Sequence, residues 1–247
     1  MEEKIWELIL DYCREKELPI LWRTPVVRFA DAAAPGFEQL REIVEPSHYL
    51  PGDYLKNAGC VLSWFLPFRP ELGRDNLPGA FSSPGWADAY LVTNDMAAWV
   101  NHRLAEYIRQ SLGAEAAVPW DAGMIGTDNP RSRWSQRHVA WLAGHGTFGK
   151  NGMLISDSGA VGRYFSVVTT LTVVPDSPIT EERCLWKQDG SCGLCMKRCT
   201  AGALTESGFD RFRCLEQCLA NMARYPGADV CGKCTVELPC SYEIPKK

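Results

Sequence analysis

Apolar residues recur at Ile5, Leu8, Ile9, Tyr12 and Cys13, at spacings i, i+3, i+4, i+7 and i+8 with acids and lysines between them, which predicts an amphipathic helix over 2–18. Residues 24–30 read as a short strand and 38–44 as a second helix closed off by Pro46. Residues 59–66 form a nearly continuous apolar run bounded by turn formers, the signature of a strand buried on both faces. Pro67, Pro70, Pro78 and Pro84 predict a long irregular connection over 67–85, a length that often serves as a lid or site wall. Met96, Trp99, Val100, Leu104, Tyr107 and Ile108 keep helical period over 94–112, with Gly113 at the stop and His102 on the solvated side. Residues 118–130 read as a short strand running into a glycine-rich loop. Pro130 suits the first turn of a helix through Trp134, His138, Trp141 and Leu142. Residues 153–156 and 163–174 then read as two strands joined by a turn. Helices mixed with a partly antiparallel sheet predict an α+β fold.

Length changes this picture by allowing more than one unit: 247 residues suffice for a substantial core and a small appended module. The formal net charge of −4, with no block of lysine or arginine, gives no sign of a surface built to cover a phosphate backbone. The start, MEEKIWELIL, lacks the basic region of a signal peptide, and no apolar run is long enough to span a bilayer. A cytoplasmic location, where thiols stay reduced, is expected.

The chemistry is concentrated in residues 184–240, which hold nine of the eleven cysteines. Cys13 and Cys60 fall in apolar patterns and read as packing. Cys192, Cys195 and Cys199 form CxxCxxxC, and Cys231 and Cys234 form a second CxxC with Cys240 six positions on. Bacterial ferredoxins carry a CxxCxxCxxxCP run whose last cysteine serves the other cluster. Here Cys184 would supply the missing first cysteine, and Thr200 stands at the usual proline. One [4Fe–4S] cluster would then take Cys184, Cys192, Cys195 and Cys240; the other would take Cys199, Cys231, Cys234 and either Cys214 or Cys218. A zinc site would use four thiols and leave five without a role. Disulfides do not suit a reducing compartment. Two clusters imply electron transfer.

A second motif lies at 141–156, WLAGHGTFGKNGMLIS, where closely spaced glycines let the backbone approach a ligand. AGHGTFGKNGMLI resembles the AGLGWxGKNxxLI signature of the epoxyqueuosine reductase family, and FDRFRC resembles that family's LDxRRC. The resemblance covers about residues 48–240 and is strongest from Trp134 onward. It implies a nitroreductase-like domain (1–180) that binds cobalamin, followed by a ferredoxin-like domain (181–247) with two [4Fe–4S] clusters, an arrangement shared in outline with reductive dehalogenases. It implies Cys214 as the fourth ligand of the second cluster, with Cys218 spare. It also implies a corrinoid against Gly144, His145, Gly146, Thr147, Phe148, Gly149, Lys150, Asn151 and Gly152. His145 has two readings: an imidazolium capping the helix end, or a cobalt ligand or proton donor. The family's catalytic acid has no clean match, and Asp121 and Asp128 are the candidates. The family's helical extension that helps hold transfer RNA is not found in this chain, which stops seven residues after Cys240. A small-molecule or corrinoid substrate and an electron-donating redox partner are therefore expected, and transfer RNA is not. The alternatives are a ferredoxin-like carrier without corrinoid and a true epoxyqueuosine reductase.

Overall fold

The computed structural model describes residues 1–119 and 126–246. In chain order the elements are α1 (Glu2–Glu15), β1 (Val26–Asp31), α2 (Gly36–Ile43), α3 (Pro51–Tyr54), β2 (Cys60–Pro67), α4 (Pro70–Asp75), α5 (Pro84–Ser111), β3 (Ala116–Ala117), α6 (Gln136–Leu142), β4 (Gly146–Phe148), β5 (Leu154–Ser156), β6 (Gly162–Thr169), α7 (Leu185–Asp189), α8 (Leu194–Arg198) and α9 (Arg211–Arg224). The mixture of helices with an antiparallel sheet is the α+β class expected.

All eight residues of β2 are buried, because the strand lies between β1 and β6 and is covered on both faces. The sheet order is β1-β2-β6-β3 and every pairing is antiparallel. Leu62, Trp64 and Leu66 point to the α1 and α5 side, while Val61 and Phe65 point to the side of α2 and α6. Each such side chain, fully withdrawn from water, contributes roughly 1.5–3 kcal/mol. Three indoles join the layers through buried hydrogen bonds: Trp22 to Thr93 at 3.0 Å, Trp64 to Asn101 at 2.9 Å and Trp134 to Ser166 at 2.9 Å. Cys13 and Cys60 are buried packing groups, as their patterns implied.

Three expectations are corrected. The long helix begins at Pro84, ten residues before the apolar period becomes visible. Pro84 occupies the first turn, where no N–H is required, and Ser83 caps Trp86 N at 3.2 Å. Ala87, Ala89 and Thr93 are small buried residues that a search for large apolar groups passes over. The connection over 67–85 is likewise not irregular throughout, since it carries α4. Last, β5 does not form a hairpin with β6. It pairs with β4, Thr147 opposite Ile155, so part of the glycine motif is itself a strand. The chain turns at Gly159 (φ +82°) and enters the main sheet as β6 between β2 and β3.

Candidate functional site

The cysteine-rich segment hangs on short helices and turns. Cys184 is the N-cap of α7, Cys195 lies in α8 with Cys199 as its C-cap, and Cys214 and Cys218 are one turn apart on α9. Cys184, Cys192, Cys195 and Cys240 line one cavity with Trp186 and Leu238, with about 380 Å³ of empty space including its open mouth. Burial pushes the Cys240 thiol up to about 12, and Cys184, Cys195 and Cys192 add to the effect. A second group gathers around Cys234. Burial pushes its thiol up to about 12 against a hydrogen bond from Thr235, while Cys231, Cys214 and Cys199 push it further. Cys218 stands beside this group: its S–H donates to Cys214, which lowers the Cys214 thiol and raises the Cys218 thiol from their ordinary range. Among the described residues, no three His, Cys, Asp or Glu side chains converge closely enough to hold a single ion.

The glycine motif does not stand open to a ligand along its length. A side chain on Gly144 would meet the Ser177 carbonyl oxygen at 2.4 Å, and one on Gly146 would meet the Ile155 carbonyl oxygen at 2.0 Å. The close approach there is of the protein to itself. The side chains of the motif grip the cysteine segment instead. Thr147 Oγ1 accepts from Arg183 N at 3.0 Å, Lys150 Nζ donates to Glu206 O at 2.8 Å, and Asn151 Nδ2 donates to Cys234 O at 2.7 Å. Lys150 N donates to Cys184 Sγ at 3.4 Å, so the motif touches a thiol of the first group directly. Phe148 packs on His138, ring centres 4.7 Å apart. Gly149 is close to Asn151 and Ile155, whereas Gly152 has no protein atom within 4 Å of where a side chain would begin and is the open point of the motif.

The connection over 67–85 forms the other seat. Asn76 Nδ2 donates to Cys231 O at 2.9 Å, Ser82 Oγ to Val230 O at 2.7 Å and Gln217 Nε2 to Ala80 O at 3.2 Å. Asn76 and Ser82 thus tie the connection, expected as a lid or site wall, to the loop that carries the second CxxC.

His145 is 2% exposed. Its Nε2–H donates to Ser63 O at 3.2 Å, and its ring meets Tyr164 edge-on at 5.4 Å. Burial holds its pKa down at about 4, so the imidazolium expected at the helix end is overturned: the ring is neutral and faces the sheet. Burial does the same to His138, whose pKa also falls to about 4 and whose Nδ1 is 2.7 Å from Ser135 Oγ. A histidine whose pKa is lower folded than unfolded supports the fold fully above the unfolded value near 6.5, and that support is lost as pH falls toward 4. Chemical denaturation between pH 7 and pH 4 should therefore show falling stability. His145→Phe should flatten this slope without abolishing it, because His138 titrates in the same window.

Of the two candidate acids, Asp121 lies outside the described residues, and Asp128 sits on an exposed turn beside Asn129, which donates to Glu45 at 2.9 Å. Sequence reasoning passed over a polar group formed by Tyr90, Arg163 and Asp229. The Tyr90 hydroxyl donates to Asp229, the Arg163 guanidinium lies 4.9 Å from the Tyr90 ring centre, and Asp229 is near enough to act on Cys218. No spacing rule links positions 90, 163 and 229, so only the fold reveals them. Arg137, whose Nη1 donates to Gly152 O at 2.8 Å, is near enough to feel Arg211 and Arg163 as well as Cys234.

No protein-family model matches the chain and no curated protein matches it in sequence. Solved structures share its fold. It is similar to an epoxyqueuosine reductase from Streptococcus thermophilus, at a TM-score of 0.57 and 17% identity over 99% of this chain and 68% of the other. It is similar also to an epoxyqueuosine reductase seen with an epoxyqueuosine-modified tRNA-Tyr stem loop, at a TM-score of 0.54 and 16% identity over 100% of this chain and 68% of the other. A catabolic reductive dehalogenase matches at a TM-score of 0.56 and 17% identity over 89% of this chain and 30% of its own. Likeness at these identities is likeness of fold.

Proposed function

We propose that the chain is an iron–sulfur reductase in which two [4Fe–4S] clusters, on Cys184, Cys192, Cys195, Cys240 and on Cys199, Cys214, Cys231, Cys234, carry electrons to a corrinoid. The observation that carries this reading is the sorting of eight thiols from one short segment into two groups, the first drawing on both ends of that segment and the second on residues between them. The donor set fits the clusters. A cubane binds one thiolate at each iron, so its ligands surround a volume and need not converge on a point. The fold's likeness to epoxyqueuosine reductases and to a reductive dehalogenase supports a reductive role. A bound corrinoid would supply the cobalt at which the reduction occurs. The 144–149 part of the motif does not fit one, its glycines lying against the protein's own atoms; Gly152, whose carbonyl oxygen accepts from Arg137, is the part left to meet its amide arms. The substrate is a small molecule or the corrinoid itself.

The test is iron and sulfide analysis with electron paramagnetic resonance on anaerobically purified protein. About eight irons and two cluster signals are expected, by the stoichiometry of two cubanes; four irons, or zinc in their place, would refute the cluster assignment.

A second reading, action on transfer RNA, is favoured by one observation. Arg163 and Arg211, far apart in sequence, both lie near enough to Arg137 to add to the lowering of its pKa by burial, where scattered cations were expected. A structure of like fold holds a tRNA stem loop. Salt-sensitive binding of epoxyqueuosine-bearing transfer RNA with turnover would establish that reading; its absence would leave the small-substrate one.

A further inference from the structure

Cys184 stands apart from the other thiols of its group. It lies eight positions before Cys192, with α7 between them, whereas the bacterial ferredoxin run keeps its first cysteine in one tight loop with the next. No short loop fixes this thiol against Cys192 and Cys195, so its place is set by contacts from elsewhere. Those contacts come from the hairpin of β4 and β5.

Arg183 is at their centre and is 9% exposed. Its Nη1 donates to His145 O at 3.3 Å and to Ile155 O at 3.0 Å, and its Nη2 donates to Asp157 Oδ1 at 2.7 Å. Its backbone N–H donates to Thr147 Oγ1 at 3.0 Å. Thr147 and Ile155 face each other across the hairpin, so this one residue holds both strands. Its neighbours are fastened to the same hairpin. Glu182 Oε1 accepts from Cys184 N at 2.8 Å and from Thr147 Oγ1 at 3.3 Å, and Cys184 Sγ accepts from Lys150 N at 3.4 Å. None of the hydrogen bonds of Arg183 reaches the residues that carry the second thiol group.

Resting on the reading that the first thiol group carries a [4Fe–4S] cluster, we propose that Arg183 is the positioning residue of that cluster, locking Cys184 to the β4–β5 hairpin in place of the missing ferredoxin loop. A planar guanidinium presents five donors in a fixed fork and so holds two carbonyls and a carboxylate at set angles, which the single point of an ammonium does not. The carbonyls it holds belong to the two strands of the hairpin, and its backbone joins Thr147 to the segment that ends at the thiol. The hairpin of the glycine motif is thereby part of the first cluster's site, through Arg183 and through the Lys150 N–H on the Cys184 sulfur.

Iron release to a chelator from the anaerobic full chain, with electron paramagnetic resonance of the dithionite-reduced protein, tests this. Cys184→Ser marks the release phase and the signal that belong to the first cluster. Arg183→Gln should speed release of about four of the about eight irons by about tenfold or more, the factor that one lost hydrogen bond to a charged group carries, and leave the other four at the wild-type rate. Arg183→Lys should fall between the two. Arg28→Gln, which loses a contact to the same Asp157 carboxylate at 3.7 Å, should release all its iron as the wild type does. If Arg183→Gln does not fold, Thr147→Val carries the test: it removes only the hydroxyl that joins Arg183 N to Glu182, and should speed the same phase. Release unchanged in these variants would overturn the proposal. So would equal acceleration from both clusters, which would reduce Arg183 to a general support of the fold. A wild type without clusters would instead defeat the underlying reading, so the two failures are distinguishable.

Discussion

Cys214→Ser will cost the protein one of its two clusters, bringing iron from about eight per chain to about four, while Cys218→Ser will keep both. The two cysteines sit one turn apart on α9, and residue spacing alone treats them equally. The fold separates them. Cys214 acts on Cys234 together with Cys199 and Cys231, whereas Cys218 is near Cys214 and Cys231 and gives its S–H to Cys214. Cys218 is therefore a hydrogen-bond donor to a ligand sulfur. Serine keeps an O–H donor at that place, so Cys218→Ser should leave the iron in place, and Cys218→Ala, which removes the donor, should also keep it while shifting the potential of the second cluster downward, because hydrogen bonds to sulfur favour the reduced form. Iron analysis on the two variants side by side reads the result. Loss of iron in Cys218→Ser with none in Cys214→Ser would mean that the ligand is one turn further along the helix.

Gly159→Ala should be a severely damaging single methyl group. The residue has φ +82°, where a side chain costs about 1–2 kcal/mol, and its new carbon would lie 2.4 Å from both Ser241 O and Tyr242 N. Neither is the free end of a flexible side chain. Ala160 N donates to Cys240 O at 2.9 Å and Val161 N to Ser241 O at 2.9 Å, so displacing this tail moves Cys240 away from Cys184, Cys192 and Cys195. A loss of about 3 kcal/mol or more is expected from the strain and the lost contacts together, with selective loss of the first cluster. Gly152→Ala is the control. It shares the left-handed backbone (φ +70°) but meets nothing within 4 Å, so it should cost about 1 kcal/mol and retain all the iron. Thermal unfolding and iron content of the two variants decide the matter.

These two cases also mark how far the sequence could be read. The proposed partition of thiols starts from spacing, because CxxC pairs place two ligands at one cluster and the missing fourth must arrive from elsewhere. The buried strand β2 and the stripe on α1 were legible because burial leaves a period in the residue types. The glycine motif was misjudged for a physical reason. Glycine records that something comes close but not what, and at Gly144 and Gly146 the neighbour is the protein's own backbone. His145 was misjudged because its partner, Ser63 O, lies 82 residues away across the sheet. The start of α5 was hidden by Pro84, whose meaning as a first-turn residue depends on the Ser83 cap before it. The bonds of Arg183 and the Tyr90, Arg163 and Asp229 group depend on tertiary contacts alone, which no local pattern encodes.

The central claim is that electrons pass from the clusters to a corrinoid bound by this chain. Adding cobalamin to the anaerobic protein, then dithionite, and following the corrinoid absorption bands against a protein-free control tests it most directly. Saturable, stoichiometric binding is expected, with reduction of the bound corrinoid that is lost in Cys214→Ser. Cobalamin that leaves the spectra of both partners unchanged would contradict the account and leave a ferredoxin-like carrier in its place.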